Sequence, residues 1–184
     1  RQGENVFALD VRQVRENLLS VPLVRDARVR RRLPDGLEVR VTERTPLARL
    51  RMPGTDLTLA VDADGWVIVG DKSADALPLL RGFATPGLRP GVQLTSPELR
   101  DALGLLDRCA RRRSLGGLSP REVRRVDAEV LSLVLETGDE VLLPRRRLIE
   151  RLDDLPDLLR HLRNRRGVRA GPYRIDMTGE VHAS

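Results

Sequence analysis

Aromatic side chains are almost missing from this chain, with one Trp, one Tyr and two Phe among 184 residues. The core must therefore be built from Leu, Val and Ala, and the stacking platforms that hold single-stranded nucleic acid are nearly absent. Cysteine occurs once, at Cys109, which excludes an intrachain disulfide and a cysteine metal cluster. The two histidines, His161 and His182, fall on the charged side of a helix and in the C-terminal tail, so no helix face carries a histidine pair for a metal. No phosphate-cradling G-x-x-x-x-G-K-[ST] or G-x-G-x-x-G run occurs. Ser114, Ser119 and Ser132 have no nucleophile-elbow context, and the adjacent carboxylates Asp153 and Asp154 sit where a helix cap would. These absences point away from an enzyme and imply no cofactor and no small-molecule substrate. No apolar run reaches the ~18–20 residues of a membrane span, and no signal peptide is visible. Because the sequence starts at Arg1 without Met, any anchoring or targeting segment is expected upstream of it.

Lysine is nearly missing as well: Lys72 is the one lysine among 33 basic residues. A net charge of +6 and a pI near 10.9 would suit nucleic acid or an anionic membrane. The arginines, however, are spread through every segment and interleaved with 27 acids, so solvation of the surface accounts for them without nucleic acid. With 40% hydrophobic and 33% charged residues the composition is globular rather than disordered, and long enough for one large or two small domains.

What is present is organised around Val21 to Ala48. Ala27, Val29, Arg31 and Leu33 alternate with Arg28, Arg30 and Arg32, and Pro34-Asp35-Gly36 provides turn chemistry. Leu37, Val39 and Val41 then alternate with Glu38, Arg40 and Thr42, and Pro46 ends the run. This is a β-hairpin. Upstream, Asp10 caps a helix whose stripe is Val11, Val14, Leu18 and Leu19, stopped by Pro22. A helix and a two-stranded ribbon are thin by themselves, so a further strand and helix are expected before Arg1.

Leu47 to Leu50 and Leu57 to Val69 read as further strands. Asp62-Ala63-Asp64-Gly65 opens like a calcium loop, but position twelve is Ser73 rather than Glu, and a hairpin turn at Asp64-Gly65 fits the spacing. Asp75 to Pro90 is expected to be irregular, given its prolines and glycines. Ser96-Pro97 starts a helix with Leu99, Leu103, Leu106 and Ala110 as its buried stripe and Cys109 as a small buried side chain. Arg111-Arg112-Arg113 closes that helix and Gly116-Gly117 ends it. Val123 to Leu143 is a second hairpin turning at Thr137-Gly138-Asp139. A leucine-rich helix follows, in which Pro156 is expected to produce a kink or restart, with Asp153 and Asp154 available as caps. Gly167 to Pro172 reads as loop, and Tyr173-Arg174-Ile175-Asp176-Met177 as a short last strand.

The run from Gly3 to Ala48 resembles the POTRA part of the FtsQ/DivIB cell-division proteins. Its residues Gly3, Asn5, Phe7, Val21-Pro22-Leu23-Val24, Ala27, Val29, Arg31, Pro34, Leu37, Val41, Glu43, Arg44, Pro46 and Ala48 follow that family's pattern. It departs at Leu23 and Leu33, where the family often has an aromatic. LAVDADGWVI, LPLLRG and the stretch from Val126 to Met177 are similar to later family elements, so the likeness spans nearly the whole chain.

The resemblance implies an α+β fold. Residues 1–46 would be the C-terminal part of a POTRA domain (helix plus hairpin), and residues 47–184 a mixed β-sheet domain with packed helices. It also implies a non-enzymatic divisome scaffold with FtsB/FtsL-like partners. The scaffold would sit on the periplasmic face of the inner membrane at the septum, anchored by a single span upstream. By the same likeness, the partner adds a strand to Tyr173, Arg174, Ile175, Asp176, Met177 and Thr178, with the strand extending through Thr178 to Val181. Ile175→Pro is then expected to remove an edge donor. The residues alone leave a plainer reading open, an edge strand guarded by Arg174, Asp176 and Glu180. Alternative functions are another POTRA protein of outer-membrane assembly or secretion, although the Val21–Ala48 pattern has no second copy, and an Arg-rich nucleic-acid-binding module.

Overall fold

The computed structural model describes residues 9–34, 36–69, 72–111, 118–164 and 172–179. The Gly3-Asn5-Phe7 opening, Asp35, the stretch from Arg112 to Gly117, most of the Gly167–Pro172 loop and residues 180–184 lie outside them.

Helix α1 (Val11–Leu19) begins where expected: Asp10 accepts from the Arg12 and Gln13 amides. Strands β1 (Val24–Arg32) and β2 (Gly36–Glu43) form the antiparallel hairpin in the register that the alternation requires, Ala27 opposite Val41 and Val29 opposite Val39. Ala27 is fully buried, while Val39 and Val41 remain 45% and 43% exposed. The apolar face of this two-stranded sheet is therefore only half covered.

The second sheet has eight strands. They are β3 (Pro46–Arg51), β4 (Thr58–Asp62), β5 (Val67–Ile68), β6 (Leu79–Arg81), β7 (Pro120–Arg125), β8 (Val130–Leu135), β9 (Glu140–Pro144) and β10 (Arg174–Asp176). Their order is β10-β9-β8-β7-β6-β3-β4-β5. Helix α2 (Pro97–Arg111) packs against β3 and β7, and α3 (Leu148–Asn164) against β9 and α2. One apolar cluster joins them, with Leu99, Leu103 and Leu106 of α2 and Leu152, Leu155 and Leu159 of α3 set on Leu50, Val123, Leu133 and Val141. The architecture is α+β, as the resemblance implied.

Several expectations need correcting. Asp75 to Pro90 is not wholly irregular, because it contains β6, which pairs in parallel with both β3 and β7. Three residues bounded by Pro78 and Gly82 carry no local signal; the strand exists through its two neighbours. On α2, Ala110 is exposed, and Ala102, Leu105 and Cys109 complete the buried stripe. Helix α3 runs unbroken through Pro156. Proline there removes one backbone donor, and burial of Leu152, Leu155 and Leu159 holds the helix together around it. Asp153 is not a cap: it binds Arg108 of α2 through two hydrogen bonds, of 2.8 and 3.3 Å. The Asp62–Gly65 turn joins β4 to β5 as a hairpin, with Gly65 at φ +84°. Among the described residues no helix is long and apolar enough to cross a membrane.

Candidate functional site

The large sheet ends in two edge strands, and the chain treats them differently. At β5 the outer side is filled by the segment Gly91–Leu94. Val67 donates to the Val92 carbonyl at 2.9 Å, Gly91 donates to the Val67 carbonyl at 2.8 Å, and Leu94 donates to that of Gly65 at 2.9 Å. At the other end β10 pairs with β9 and, among the described residues, with no further strand.

Hydrogen-bond direction along β10 follows from its ladder. Glu140 donates to the Tyr173 carbonyl at 2.8 Å, and Met177 donates to the Leu142 carbonyl at 3.0 Å. In extended chain a residue's N–H and C=O point to the same side, and successive residues alternate. Tyr173, Ile175 and Met177 thus turn their main chain to β9, while Arg174 and Asp176 turn theirs to the open side. Ile175 and Met177 bury their side chains in the core, Tyr173 is half-buried, and Arg174 and Asp176 are exposed. The Ile175 amide is therefore not an edge donor. It belongs to the inner ladder, and the edge donors are Arg174 and Asp176.

Both ends of β10 are pinned by carboxylates. Asp139, 2% exposed in the β8–β9 turn, accepts from the Tyr173 amide at 2.9 Å, from Thr137 Oγ1 at 2.6 Å and from Arg163 Nη2 at 2.6 Å. Burial alone would raise its pKa. The donors from Thr137, Tyr173 and Arg163 outweigh that and hold it below the ordinary carboxyl value. Gly138 in this turn has φ +88°, and a Cβ there would lie 3.2 Å from Pro172 Cβ, so the turn packs against the residues leading into β10.

At the far end Asp176 Oδ1 accepts from the Thr178 amide at 2.9 Å and its hydroxyl at 2.6 Å, which lowers the Asp176 pKa. The Gly179 carbonyl accepts from Arg151 at 2.9 Å. The strand accordingly stops at Asp176, and the extension expected from Thr178 is turned aside at 178 and 179; Glu180 and Val181 lie outside the described residues.

A second constellation was not foreseen from the sequence. Arg44, at the end of the hairpin, pairs with Asp62 Oδ2 at 2.9 Å and lies 4.4 Å over the Trp66 ring. Asp62 Oδ1 meanwhile accepts from the Asp64 and Trp66 amides. Both partners of the ion pair are buried, at 10% and 5% side-chain exposure, and Arg25 adds a pair to Asp64 at 3.0 Å. The hairpin is thereby clamped to the β4–β5 turn. Arg44, Asp62 and Trp66 all fall in runs noted above as family-like, so the signal lay in their motifs rather than in their spacing. Among the described residues no group of three or more His, Cys, Asp or Glu is placed to hold a metal.

Comparison with known proteins gives a consistent result. The family model "POTRA domain, FtsQ-type" matches residues 1–44, and "Cell division protein FtsQ/DivIB, C-terminal" matches residues 48–178. The chain is similar to the "Cell division protein FtsQ" of Syntrophotalea carbinolica, 37% identical over 108 residues, which is 58% of this chain and 37% of that protein. The protein of that name from Myxococcus fulvus is 30% identical over 147 residues, 77% of this chain and 49% of its own length. That of Anaeromyxobacter sp. is 31% identical over 177 residues, 95% of this chain and 58% of its own length. The chain spans about half the length of these relatives.

Proposed function

This chain belongs to the FtsQ/DivIB family of cell-division proteins, and we propose that it acts as a non-enzymatic scaffold that takes up a partner strand along β10. The partner is FtsB, alone or with FtsL, and the scaffold faces the periplasm at the septum, tethered by a membrane span upstream of Arg1. Residues 1–46 and 47–184 serve as its POTRA and β-domains.

One observation carries the reading. Of the two sheet edges, β5 is covered by the chain's own Gly91–Leu94, whereas Arg174 and Asp176 turn donors and acceptors outward. Such an edge is a template for an incoming strand, with main-chain bonds giving affinity and alternate side chains giving register.

The magnitude limits how the complex works. Two outward donors and two outward acceptors, at roughly 0.5–1.5 kcal/mol net each, give about 2–6 kcal/mol. Micromolar binding needs about 8 kcal/mol. Side-chain contacts beside the strand must therefore supply the remainder.

Titration of an FtsB segment into the wild-type chain and into Arg174→Pro tests the proposal. Proline at 174 deletes an outward donor and leaves the Ile175 ladder to β9 in place. Affinity should fall at least about tenfold, with far-UV circular dichroism unchanged. Equal affinity for the two chains would sink the reading.

A further inference from the structure

The hairpin presents its arginines in a way that its own stability does not explain. Arg28, Arg30 and Arg32 project from one face of β1, and Arg40 and Glu38 from the same face of β2. The register sets Arg28 directly opposite Arg40, two like charges across an antiparallel pair, an arrangement that destabilises a ribbon. Their side chains are 73% and 78% exposed. Glu38 holds Arg40 at 2.7 Å and Asp26 reaches Arg28 at 3.6 Å, while Arg30 and Arg32 form no ion pair among the described residues. At the tip, directly after Arg32, Leu33 is 73% exposed.

We propose that this face and tip form a docking surface for an anionic lipid headgroup layer, with Arg28, Arg30, Arg32 and Arg40 on the phosphates and Leu33 in the interface. Three features favour a membrane over an acidic protein. The face is nearly flat, since the depression among Arg28, Arg30, Glu38 and Arg40 holds only about 40 Å³ and gives a peptide no groove. An exposed leucine ringed by guanidinium groups matches the layered polarity of a bilayer surface, and guanidinium binds phosphate through paired donors. The tip also lies at the far end of the hairpin from the second sheet. Arg31 donates to the Leu9 carbonyl at 2.9 Å beside the start of α1, whereas the clamp to β4–β5 is at Arg44. An upstream anchor would thus place the tip nearest the bilayer. Only that last point rests on the function proposed above.

Flotation of the 184-residue chain with phosphatidylcholine vesicles carrying about one-third phosphatidylglycerol tests it, against pure phosphatidylcholine. Binding should require the anionic lipid and weaken as salt shortens the Debye length. R30Q/R32Q/R40Q should weaken it about a hundredfold, at about fivefold per arginine. L33S should weaken it about tenfold, and the corresponding triple lysine variant should retain most of it. R51Q/R89Q/R121Q removes equal charge from exposed sites on the second unit and should bind like wild type. The proposal is overturned if that control loses as much binding, if the anionic vesicles are not bound, or if a polyglutamate peptide is held more tightly than the vesicles. Arg174→Pro should float like wild type, so failure here and failure of strand addition are read separately.

Discussion

Removing the carboxylate of Asp139 should release β10 without unfolding the protein. In Asp139→Ala the Tyr173 amide loses its acceptor, at about 1–3 kcal/mol for a partly buried donor. The Thr137 hydrogen bond contributes about 1 kcal/mol. The pair to Arg163, whose side chain is 48% exposed, is screened and adds no more than about 1 kcal/mol. The total is about 2–5 kcal/mol. These bonds tie β10 to the β8–β9 turn and to α3, not the rest of the sheet to itself, so the loss should fall on local opening. At about 1.4 kcal/mol per decade, amide-exchange protection at Ile175 and Met177 should drop by roughly 30- to 3,000-fold. Leu133, in the centre of the sheet, should keep its protection. Equal losses at Leu133 and Ile175, or no loss at either, would refute the idea that Asp139 is a dedicated pin for the edge strand.

The same carboxyl makes the edge acid-sensitive. Its pKa in the folded protein lies below the ordinary value of 3.8, so its stabilisation is fully present above that value and is lost as pH falls through the folded one. Exchange at Ile175 should be flat in its pH-corrected form from about pH 7 to 5 and rise below about pH 4, and Asp139→Asn should abolish that rise. At the other constellation, Arg44→Met leaves Asp62 buried without its cation and removes the contact with Trp66. A loss of about 3–5 kcal/mol is expected, which calorimetry should report as a drop in Tm of roughly 6–20 °C. A shift under about 2 °C would mean that the clamp is not a buried ion pair in solution.

Where the determinants are local, the sequence was legible. The hairpin register from Ala27 to Val41 follows from strict alternation on both sides of a proline–glycine turn. Ser96 and Pro97 mark the start of α2, and the Leu99 amide is indeed held by Ser96 Oγ. Strand β6 was missed because Leu79–Arg81 is defined by neighbours on both sides and not by its own pattern. The place of Tyr173–Met177 as a strand was readable, but which amides face outward was not. That depends on the parallel register with β9, set by Ile175 against Val141 across an intervening helix. The Arg44–Asp62 clamp illustrates the same limit: each residue was visible in its motif, and only the tertiary fold brings them to 2.9 Å.

Strand addition at β10 is tested most directly by amide exchange at single-residue resolution with and without the FtsB segment. Arg174 and Asp176, whose amides face the open side, should gain protection on binding, while Val67 and Ile68 on the covered edge stay unchanged. A segment that binds while the Arg174 and Asp176 amides exchange as in the free protein would contradict the account.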